Sequence, residues 1–305
     1  MRIGNKQYGM GWLPDYPDFR DYSINYDQVS KFKKSLGQEK SIKQMLKEVG
    51  ILNKSGKKLA SSADLRPWCP PIEDQENLGS CTAHAGVGIV EYFERRAFGR
   101  HIDASRLFLY KVTRRLANLS GDSGAFLRST MCALALFGVP PEEYWPYNIS
   151  DFEVEPTAFC YSFAQNYQAV SYYRLDSRDV STDDLLKRIK LFLSAGLPSM
   201  FGFTVYRSID QGYISGKIPY PSENDIEDGG HAVMAVGYDD AMKIRNNNPG
   251  SKETTGAILI RNSWGTGWGE NGYGWMPYDY ILKGLADDWW SLLKNEWVDT
   301  GNFQV

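Results

Sequence analysis

The spacing of apolar residues changes near residue 166, and this change constrains the fold more than any other feature of the chain. Before it, apolar side chains recur with a 3.6-residue period from Cys81 to Gly99, which predicts a long buried helix that ends at the glycine. Two more helices are predicted over 105–117 and 126–138. The first part of the main body is therefore expected to be mostly helical.

Beyond residue 166 the apolar runs are short, rich in β-branched and aromatic residues, and separated by turn residues. Such runs are typical of strands. The predicted strands cover residues 167–175, 199–206, 230–240, 256–264 and 272–278. One helix is predicted over 182–196, and residues 242–256 are expected to form an exposed hairpin loop. A helical lobe followed by an antiparallel β lobe gives an α+β fold.

The N-terminal part of the chain differs from both lobes. Residues 1–28 are rich in aromatic residues, Pro and Asp, without a regular period, which predicts an extended arm. A short helix is predicted between Ser41 as its cap and Gly50 as its end, followed by a flexible connector over 53–64. The expected domains are an N-terminal arm, a helical lobe and a β-rich lobe, which cover residues 1–63, 64–165 and 166–305.

Composition places the chain among soluble globular proteins, with 42% hydrophobic and 23% charged residues. No apolar run approaches the roughly 18 to 20 residues of a membrane helix, so no membrane partner is expected. No secretory signal is visible, because Gly, Pro, Asp and Tyr interrupt the N-terminal stretch. The expected location is the cytoplasm, or outside the cell after export without a visible signal.

The net charge of −3 hides a basic segment. Nine lysines and two glutamates lie between Lys31 and Lys58, so this segment carries +7 and the remainder −10. It is either a basic arm that lies on an acidic body or a solvated linker or helix face. Nucleic acid is not an expected partner, because the main body is acidic.

Four cysteines are present, without a CxxC pair and without a histidine at metal-ligand spacing. If Cys81 is reactive, an odd number remains, so a disulfide framework is not indicated. Cys69, Cys132 and Cys160 are interpreted as small buried apolar residues. We expect no metal site and no organic cofactor.

Cys81 stands at the start of a predicted helix, where free N–H groups and the helix dipole favour a thiolate. A nucleophilic thiol also needs a base. The side chain of His84 would follow the surface of the same helix, and His101 is expected at the protein surface. His231 is the better base, because two glycines open the backbone just before a buried strand.

An imidazole base needs an orienting partner. Asn262 stands at the end of a predicted strand and can supply it. Trp264, two residues further on, is expected to cover an Asn–His hydrogen bond and to keep water from competing for it. Each of these residues alone would more often be structural, so the prediction depends on their combination.

These residues lie in three stretches that resemble the papain family of cysteine peptidases, and more closely its xylellain-like bacterial branch. "DQENLGSC" resembles the family's Gln-to-Cys stretch, "GGHAVMAVGY" the segment around its catalytic His, and "RNSWGTGWGENGY" its Asn-Ser-Trp segment. The resemblance implies a papain-like two-lobed fold, with a helical left lobe, an antiparallel β-barrel right lobe and the active-site cleft between them. It also implies a polypeptide substrate.

The resemblance further implies roles for individual residues. Gln75 and the N–H of Cys81 would form the oxyanion hole. Gly124, in "DSGAFL", would pair with an extended substrate, and Gly79 would line the cleft next to the sulfur. "EEYWPY" resembles the family's "ESYPY" signature. The pocket that selects the second residue before the scissile bond would be bordered by Phe126, Gly202 and Ala232.

The chain departs from the family at several positions. Leu78 stands where most members have a disulfide-forming cysteine, and the partner cysteine is missing near Asp122. Thr82 replaces the usual Trp or Tyr after the nucleophile, and Gly230 replaces Asp or Asn before the histidine. The first 63 residues lack the motif of the common pro-region. They are expected to be either a different pro-segment that occupies the cleft until it is cut, or a permanently docked arm.

The expected activity is peptide-bond hydrolysis. Cys81 and His231 are predicted to rest as a thiolate–imidazolium pair, and attack on the carbonyl would give a thioester that water hydrolyses. Two alternatives remain open. A catalytically silent relative would only bind peptides, and the full set of Gln75, Cys81, His231 and Asn262 disfavours it. A thioester acyltransferase would pass the acyl group to an amine, but such enzymes typically orient the histidine with Asp.

Overall fold

A computed structural model describes residues 1–4, 6–51, 59–168 and 171–303 of the chain. The α-helices of these residues are α1 (Lys31–Ser35), α2 (Ile42–Glu48), α3 (Cys81–Phe98), α4 (Arg106–Leu116), α5 (Leu127–Leu136), α6 (Ala158–Ala164), α7 (Thr182–Ser194), α8 (Asp279–Leu282) and α9 (Asn295–Asp299). The strands are β1 (Arg2–Ile3), β2 (Lys6–Gln7), β3 (Trp12–Leu13), β4 (Ser62–Asp64), β5 (Ala125–Phe126), β6 (Ser171–Arg174), β7 (Ser199–Tyr206), β8 (Glu227–Arg245), β9 (Glu253–Arg261), β10 (Tyr273–Pro277) and β11 (Ala286–Leu293).

The helices expected from the apolar period are confirmed. α3 begins at Cys81 and ends at Gly99, whose φ of 71° is the left-handed conformation that terminates helices. α4, α5 and α7 form where the period predicts them. α2 also forms, and Ser41 caps it in a reciprocal capping box with Gln44.

The β half is one antiparallel sheet in the order β10-β9-β8-β7-β11-β6, with β4 also paired to β8. The expected strands are present, but the predicted hairpin loop over 242–256 is partly wrong. β8 extends to Arg245 and β9 begins at Glu253, so the connection covers only residues 246–252. Turn-forming residues such as Asn and Gly at its centre hid the strand ends on either side.

The antiparallel β lobe is confirmed, but in the described part of the chain its strands do not close into a barrel. β10 and β6 are the two ends of the sheet and do not pair with each other. The N-terminal arm covers the β6 end, where the N–H of Arg174 donates to the carbonyl oxygen of Tyr22 at 2.8 Å and Ser23 forms a parallel bridge. Because the arm pairs with this edge strand, backbone groups of the strand form hydrogen bonds without closure of the sheet into a barrel.

α3 packs against β8, and this contact brings the two halves of the site together. Cys81, at the start of α3, lies next to the β8 segment that carries His231. The helix is buried along most of its length and forms part of a core continuous with β7, β8 and β9. The sulfur is therefore held on a rigid element at the junction between the helices and the sheet.

The N-terminal region consists of two parts that differ in their packing. Residues 8–13 cross the start of α3, and β3 pairs in parallel with β5. Residues 22–51 lie at the β6 end of the sheet, where α2 packs against β6 and α9 and where Ile42, Met45 and Leu46 are buried completely. The predicted connector over 53–64, and the lysines at its start, lie mostly outside the described residues. None of the described helices is both long and apolar enough to span a bilayer.

Candidate active site

Cys81 opens α3 and is completely buried. Ser80 precedes it without capping the helix through its side chain, so the first N–H groups of the helix surround the sulfur region. The N–H of Ala232 donates to Cys81 Sγ at 3.4 Å. Because Ala232 follows His231 directly in β8, this bond places the sulfur next to the histidine.

The hydrogen bonds of Asn262 determine the tautomer of His231. Asn262 Oδ1 accepts the backbone N–H of Ser263 at 2.8 Å, which identifies this atom as the amide oxygen. His231 Nε2 lies 2.8 Å from the same oxygen and must therefore carry the proton that it donates. In a neutral ring Nδ1 is then unprotonated. This nitrogen is buried and has no hydrogen-bond partner among the described residues.

Trp264 covers the His–Asn pair as expected. Its ring stacks on His231 with centroids 4.6 Å apart and planes 26° from parallel. Trp264 is completely buried, and Trp268 packs edge-on against it. Water is kept away from the bond between His231 and Asn262, so the ring is held in one orientation.

Gln75 is held at a fixed orientation near the start of α3. Its side-chain oxygen accepts the hydroxyl of Ser263 at 2.6 Å, and its backbone N–H donates to the Ser263 carbonyl at 2.8 Å. The amide nitrogen therefore points away from Ser263, and it donates to the carbonyl oxygens of Leu78 at 2.8 Å and Gly9 at 2.9 Å. An N–H donor next to a buried thiol is suited to stabilise negative charge on oxygen.

Burial keeps both reactive groups neutral in this structure. Burial raises the pKa of the Cys81 thiol to about 11, although the N–H groups of Ala232 and Gly11 partly oppose this rise. Burial also lowers the pKa of His231 to about 4, against the stabilising bond to Asn262. The thiolate–imidazolium pair expected from the sequence is thus disfavoured in the covered cleft.

The comparisons with known proteins agree with this geometry. A model of the papain family of cysteine proteases matches residues 59–288. The chain belongs to this family. The crystal structure of xylellain, a cysteine protease from Xylella fastidiosa, aligns with 33% identity and a TM-score of 0.72 over 96% of this chain and 98% of that chain. An uncharacterized peptidase C1-like protein of Acanthamoeba polyphaga mimivirus is 33% identical over 92% of this chain and 85% of its own length.

A third relative was crystallised with an inhibitor. The Carica candamarcensis cysteine protease CMS1MS2, in complex with E-64, is 25% identical, with a TM-score of 0.55 over 78% of this chain and all of that one. The expected papain-like α+β fold with two lobes is therefore confirmed. The protein is a papain-family hydrolase that acts on peptide bonds, and its substrates are polypeptides.

The N-terminal arm lies across this protease site. Gly11 packs so closely on Gly79 that a Cβ on Gly11 would overlap the Gly79 carbonyl group and lie 2.8 Å from its Cα. The Gly11 carbonyl accepts the N–H of Ala125 at 2.8 Å. Tyr8 stacks on Trp264 at 5.0 Å between ring centroids, and its hydroxyl donates to the Trp264 carbonyl at 3.2 Å.

Each residue expected to bind substrate lies at this arm or at the sulfur. Gly79 and Gly124 contact the backbone of Gly11. Phe126 pairs with Leu13 through β5 and β3. The N–H of Ala232 donates to Cys81 Sγ, and the ring of Tyr8 stacks on the ring of Trp264. The structure thus brings these five positions together around one channel, which the arm now fills.

Other sequence expectations concern residues outside the channel. His84 is buried, its Nδ1 lies 3.1 Å from the Ser80 carbonyl oxygen, and burial lowers its pKa to about 3. His101 is only partly exposed. All four cysteines are free, and Cys69 and Cys160 are buried while Cys132 is partly buried. Among the described residues no cluster of His, Cys, Asp or Glu could hold a metal ion.

The site also contains residues that the sequence reasoning missed. Asp122 accepts the N–H of Gly79 at 2.9 Å, so a hydrogen bond joins the segment before Cys81 to the segment before Gly124. Tyr147, in the "EEYWPY" motif, lies 2.7 Å from the Ser80 hydroxyl and donates to the Gln75 carbonyl at 3.0 Å. The carboxylate of Asp288 accepts the indole N–H of the arm residue Trp12 at 3.2 Å. The glycines at positions 9 and 11 are a signal of close backbone approach that could have located the arm.

Proposed function

We propose that Cys81 is the nucleophile and His231 the general base of this protease. The observation that supports this assignment most directly is that Nδ1 of His231, beside a buried thiol at a helix start, is unprotonated and has no hydrogen-bond partner in the described part of the chain. The other ring nitrogen is fixed by Asn262, which leaves Nδ1 to accept the thiol proton. Cysteine proteases need this nucleophile–base–orienter arrangement.

The proposed reaction has two stages. The thiol proton passes to His231 Nδ1, and Cys81 Sγ attacks the peptide carbonyl to form a tetrahedral oxyanion. As this intermediate collapses to a thioester, His231 gives the proton to the leaving amine. His231 then accepts a proton from water, which attacks the thioester and releases the acid product and the free thiol.

Gln75 and the backbone N–H of Cys81 are the proposed oxyanion donors. The carbonyl oxygen of Gly9 now takes the hydrogen bond from Gln75 that a substrate carbonyl would take. A substrate must therefore displace the arm to reach this donor. Loss of one such donor typically lowers kcat by about 10² to 10³.

We propose that the arm residues 1–21 block the cleft, whereas residues 22–51 are a permanent part of the body. The blocking part contacts the channel through Tyr8, Gly9, Gly11 and Trp12. The second part buries its apolar side chains against β6 and α9 and cannot leave without exposing them. This division combines the two expectations for the N-terminal region, because one part inhibits and the other is structural.

An exposed loop joins the two parts. The side chains of Tyr16 and Phe19 are 86% and 89% exposed. Arg128 holds both ends of this loop through Asp15 at 2.5 Å and Asp21 at 2.8 Å. Cleavage in this loop would release the blocking part and leave residues 22–51 in place.

The alternatives predict different products. A silent peptide-binding relative would show no thioester, and an acyltransferase would transfer the acyl group to an added amine in preference to water. The complete Gln75–Cys81–His231–Asn262 set supports hydrolysis over both. The proposed partners are a polypeptide substrate and the chain's own arm, and we propose no nucleic-acid or membrane partner.

The test is the rate of Cys81 alkylation by iodoacetamide between pH 4 and 9. A recognition sequence for a site-specific protease is inserted between Phe19 and Arg20 of the full chain, which is folded first and cut afterwards. Fast labelling of the cut chain down to about pH 5, with slow labelling of the uncut chain, is the expected result. Cys81→Ala is the control. Labelling that rises only near a free-thiol pKa of about 8.5 in both forms would refute the mechanism.

A further inference from the structure

A buried histidine contacts the peptide group that precedes Cys81. His84 lies three residues after Cys81 in α3, is only 3% exposed, and has no part in the proposed reaction. A buried imidazole is unfavourable unless its polar atoms form hydrogen bonds. Its Nδ1 lies 3.1 Å from the carbonyl oxygen of Ser80 and 3.3 Å from the Ser80 hydroxyl, whereas Nε2 has no hydrogen-bond partner among the described residues. Among the described residues, Ser80 therefore supplies the hydrogen bonds that hold the ring.

These hydrogen bonds continue to Gln75, and their directions follow from that end. The Gln75 carbonyl oxygen only accepts, so Tyr147 donates its single hydroxyl proton to it at 3.0 Å. The Tyr147 oxygen then accepts the hydroxyl proton of Ser80 at 2.7 Å. Ser80 has no proton left for His84, so Nδ1 is the donor to both Ser80 oxygens. Burial, helped by the nearby charge of Arg106, lowers the pKa of His84 to about 3, so the ring is neutral.

One end of this network contacts the first proposed oxyanion donor. The Ser80 carbonyl and the Cys81 N–H belong to one planar peptide unit, so the orientation of the carbonyl sets the direction of the N–H. This carbonyl accepts the backbone N–H groups of Ala83 at 3.0 Å and His84 at 3.1 Å, and the imidazole adds a third donor. Chains of hydrogen bonds polarise one another. The imidazole is therefore placed to orient and polarise the Cys81 peptide unit.

The other end contacts the residue that supplies the second proposed donor. Tyr147 holds the backbone carbonyl of Gln75, whose N–H donates to the Ser263 carbonyl at 2.8 Å. The main chain of this buried glutamine is thus fixed on two sides. Tyr147 itself packs edge-on against His84 with ring centroids 5.0 Å apart, and its N–H donates to Glu142 at 3.2 Å. One network therefore joins the two proposed oxyanion donors.

We propose that His84 and Tyr147 are positioning residues of the protease, which hold the Gln75 side chain and the Cys81 N–H in the directions that an oxyanion requires. This inference rests on the proposed function, because it takes these two groups as the oxyanion donors. His84 and Tyr147 act through Ser80 and the Gln75 main chain and exchange no proton with the substrate. Donors stabilise an oxyanion strongly only when they are already oriented before charge develops.

This role predicts a particular pattern of kinetic constants. Oxyanion donors act in the transition state, so a loss of their alignment lowers kcat with little change in KM. Alkylation of Cys81 by iodoacetamide forms no oxyanion, so its rate should not change. A residue that only supports the fold would alter substrate binding and thiol reactivity together with kcat.

The experiment uses the folded, cut chain and one fluorogenic tetrapeptide amide. His84→Phe keeps a ring but removes the donor, and should lower kcat about threefold to tenfold, the rate equivalent of one hydrogen bond. KM and the Cys81 alkylation rate should stay within about twofold. His84→Asn should restore kcat to within about twofold of wild type, because its amide nitrogen takes the place of Nδ1. Tyr92→Phe is the control, since it removes another buried hydrogen bond of α3, from the Tyr92 hydroxyl to the Gly196 carbonyl at 2.9 Å.

Tyr147→Phe tests the end of the network at Gln75. In the otherwise unchanged cut chain it should lower kcat about threefold to tenfold. In a chain that also carries Gln75→Ala it should change kcat by less than about twofold, because its effect passes through the Gln75 donor. Additive losses of kcat in the double variant would contradict this connection.

The results separate failure of this inference from failure of the proposed function. Wild-type kcat in Gln75→Ala, or a cut chain in which Cys81 is not activated, contradicts the proposed function. If Gln75→Ala is impaired while His84→Phe and Tyr147→Phe match Tyr92→Phe, the positioning role alone is overturned. It is also overturned if alkylation slows in parallel with kcat, or if His84→Asn is as slow as His84→Phe. If His84→Phe does not fold, Tyr147→Phe with and without Gln75→Ala still decides.

Discussion

Gly11→Ala should expel the arm from the protease channel without touching the catalytic groups. The added methyl would meet the backbone of Gly79, which cannot move like the end of a flexible side chain. Gly79 is held in turn by its hydrogen bonds to Asp122. The arm must therefore shift outward, which weakens the hydrogen bond that Gln75 donates to the Gly9 carbonyl oxygen.

The size of the effect follows from the cost of overpacking, about 1 to 3 kcal/mol. If Cys81 is labelled only while the arm is displaced, the rate is proportional to the displaced fraction. That fraction should rise by about 5-fold to about 150-fold in the variant. The assay is iodoacetamide labelling of the uncut chain at pH 6, followed by mass spectrometry. Gly267→Ala is the control, because a Cβ there meets only open space.

Labelling of Gly11→Ala at the rate of Gly267→Ala would refute the reasoning. It would mean either that the arm does not limit access to the sulfur, or that the body adapts to the methyl without releasing it. A thermal melt distinguishes misfolding from release. Release should keep one cooperative unfolding transition and lower its midpoint by only about 2 to 4 °C for each kcal/mol lost, whereas misfolding would abolish the transition.

Three further predictions concern catalysis, packing and pH. In the cut chain Gln75→Ala should lower kcat by about 10² to 10³ but leave Cys81 alkylation within about twofold, because alkylation forms no oxyanion. Leu46→Ala should reduce the free energy of unfolding in urea by about 2 to 5 kcal/mol, since this side chain is completely buried; a smaller loss would contradict a structural role for residues 22–51. Between pH 6.5 and 4 the uncut chain should lose stability as pH falls, because His231, with a folded pKa of about 4, binds its proton more readily when unfolded. His231→Gln should flatten this part of the urea-measured pH dependence, and an unchanged slope would contradict it.

Much of the fold is predictable because its apolar residues recur with a clear helical or strand period. α3 has buried residues on almost every side, and a glycine in the left-handed region ends it. β11 was missed, although it is central to the sheet, because its register shift at Asp287 breaks the alternation on which strand prediction depends. Asp288, whose φ is 64°, lies within this register shift.

The reactive residues were predictable for a different reason. Cys81, His231 and Asn262 occur in three local motifs whose residue types already specify their chemistry. The N-terminal arm was one expected occupant of the channel, but its contacts there were not predictable, because no local pattern records which backbone Gly11 will approach 68 residues later. Cys81 and His231 were expected to be an ion pair. Burial under the arm keeps both groups neutral instead, and burial is a property of the tertiary structure.

The equilibrium between the arm-covered cleft and the open cleft should not depend on pH through Cys81 and His231. In the covered cleft the mobile proton lies on Cys81 and His231 is neutral; in the open cleft the proposed ion pair places that same proton on His231. Both states bind one proton, so between about pH 4.5 and 7 neither state gains over the other as pH changes. Any pH-dependent release must therefore arise from groups outside the pair. Asp288 is the candidate in contact with the arm, because burial raises its pKa to about 7 and Trp12 donates to it.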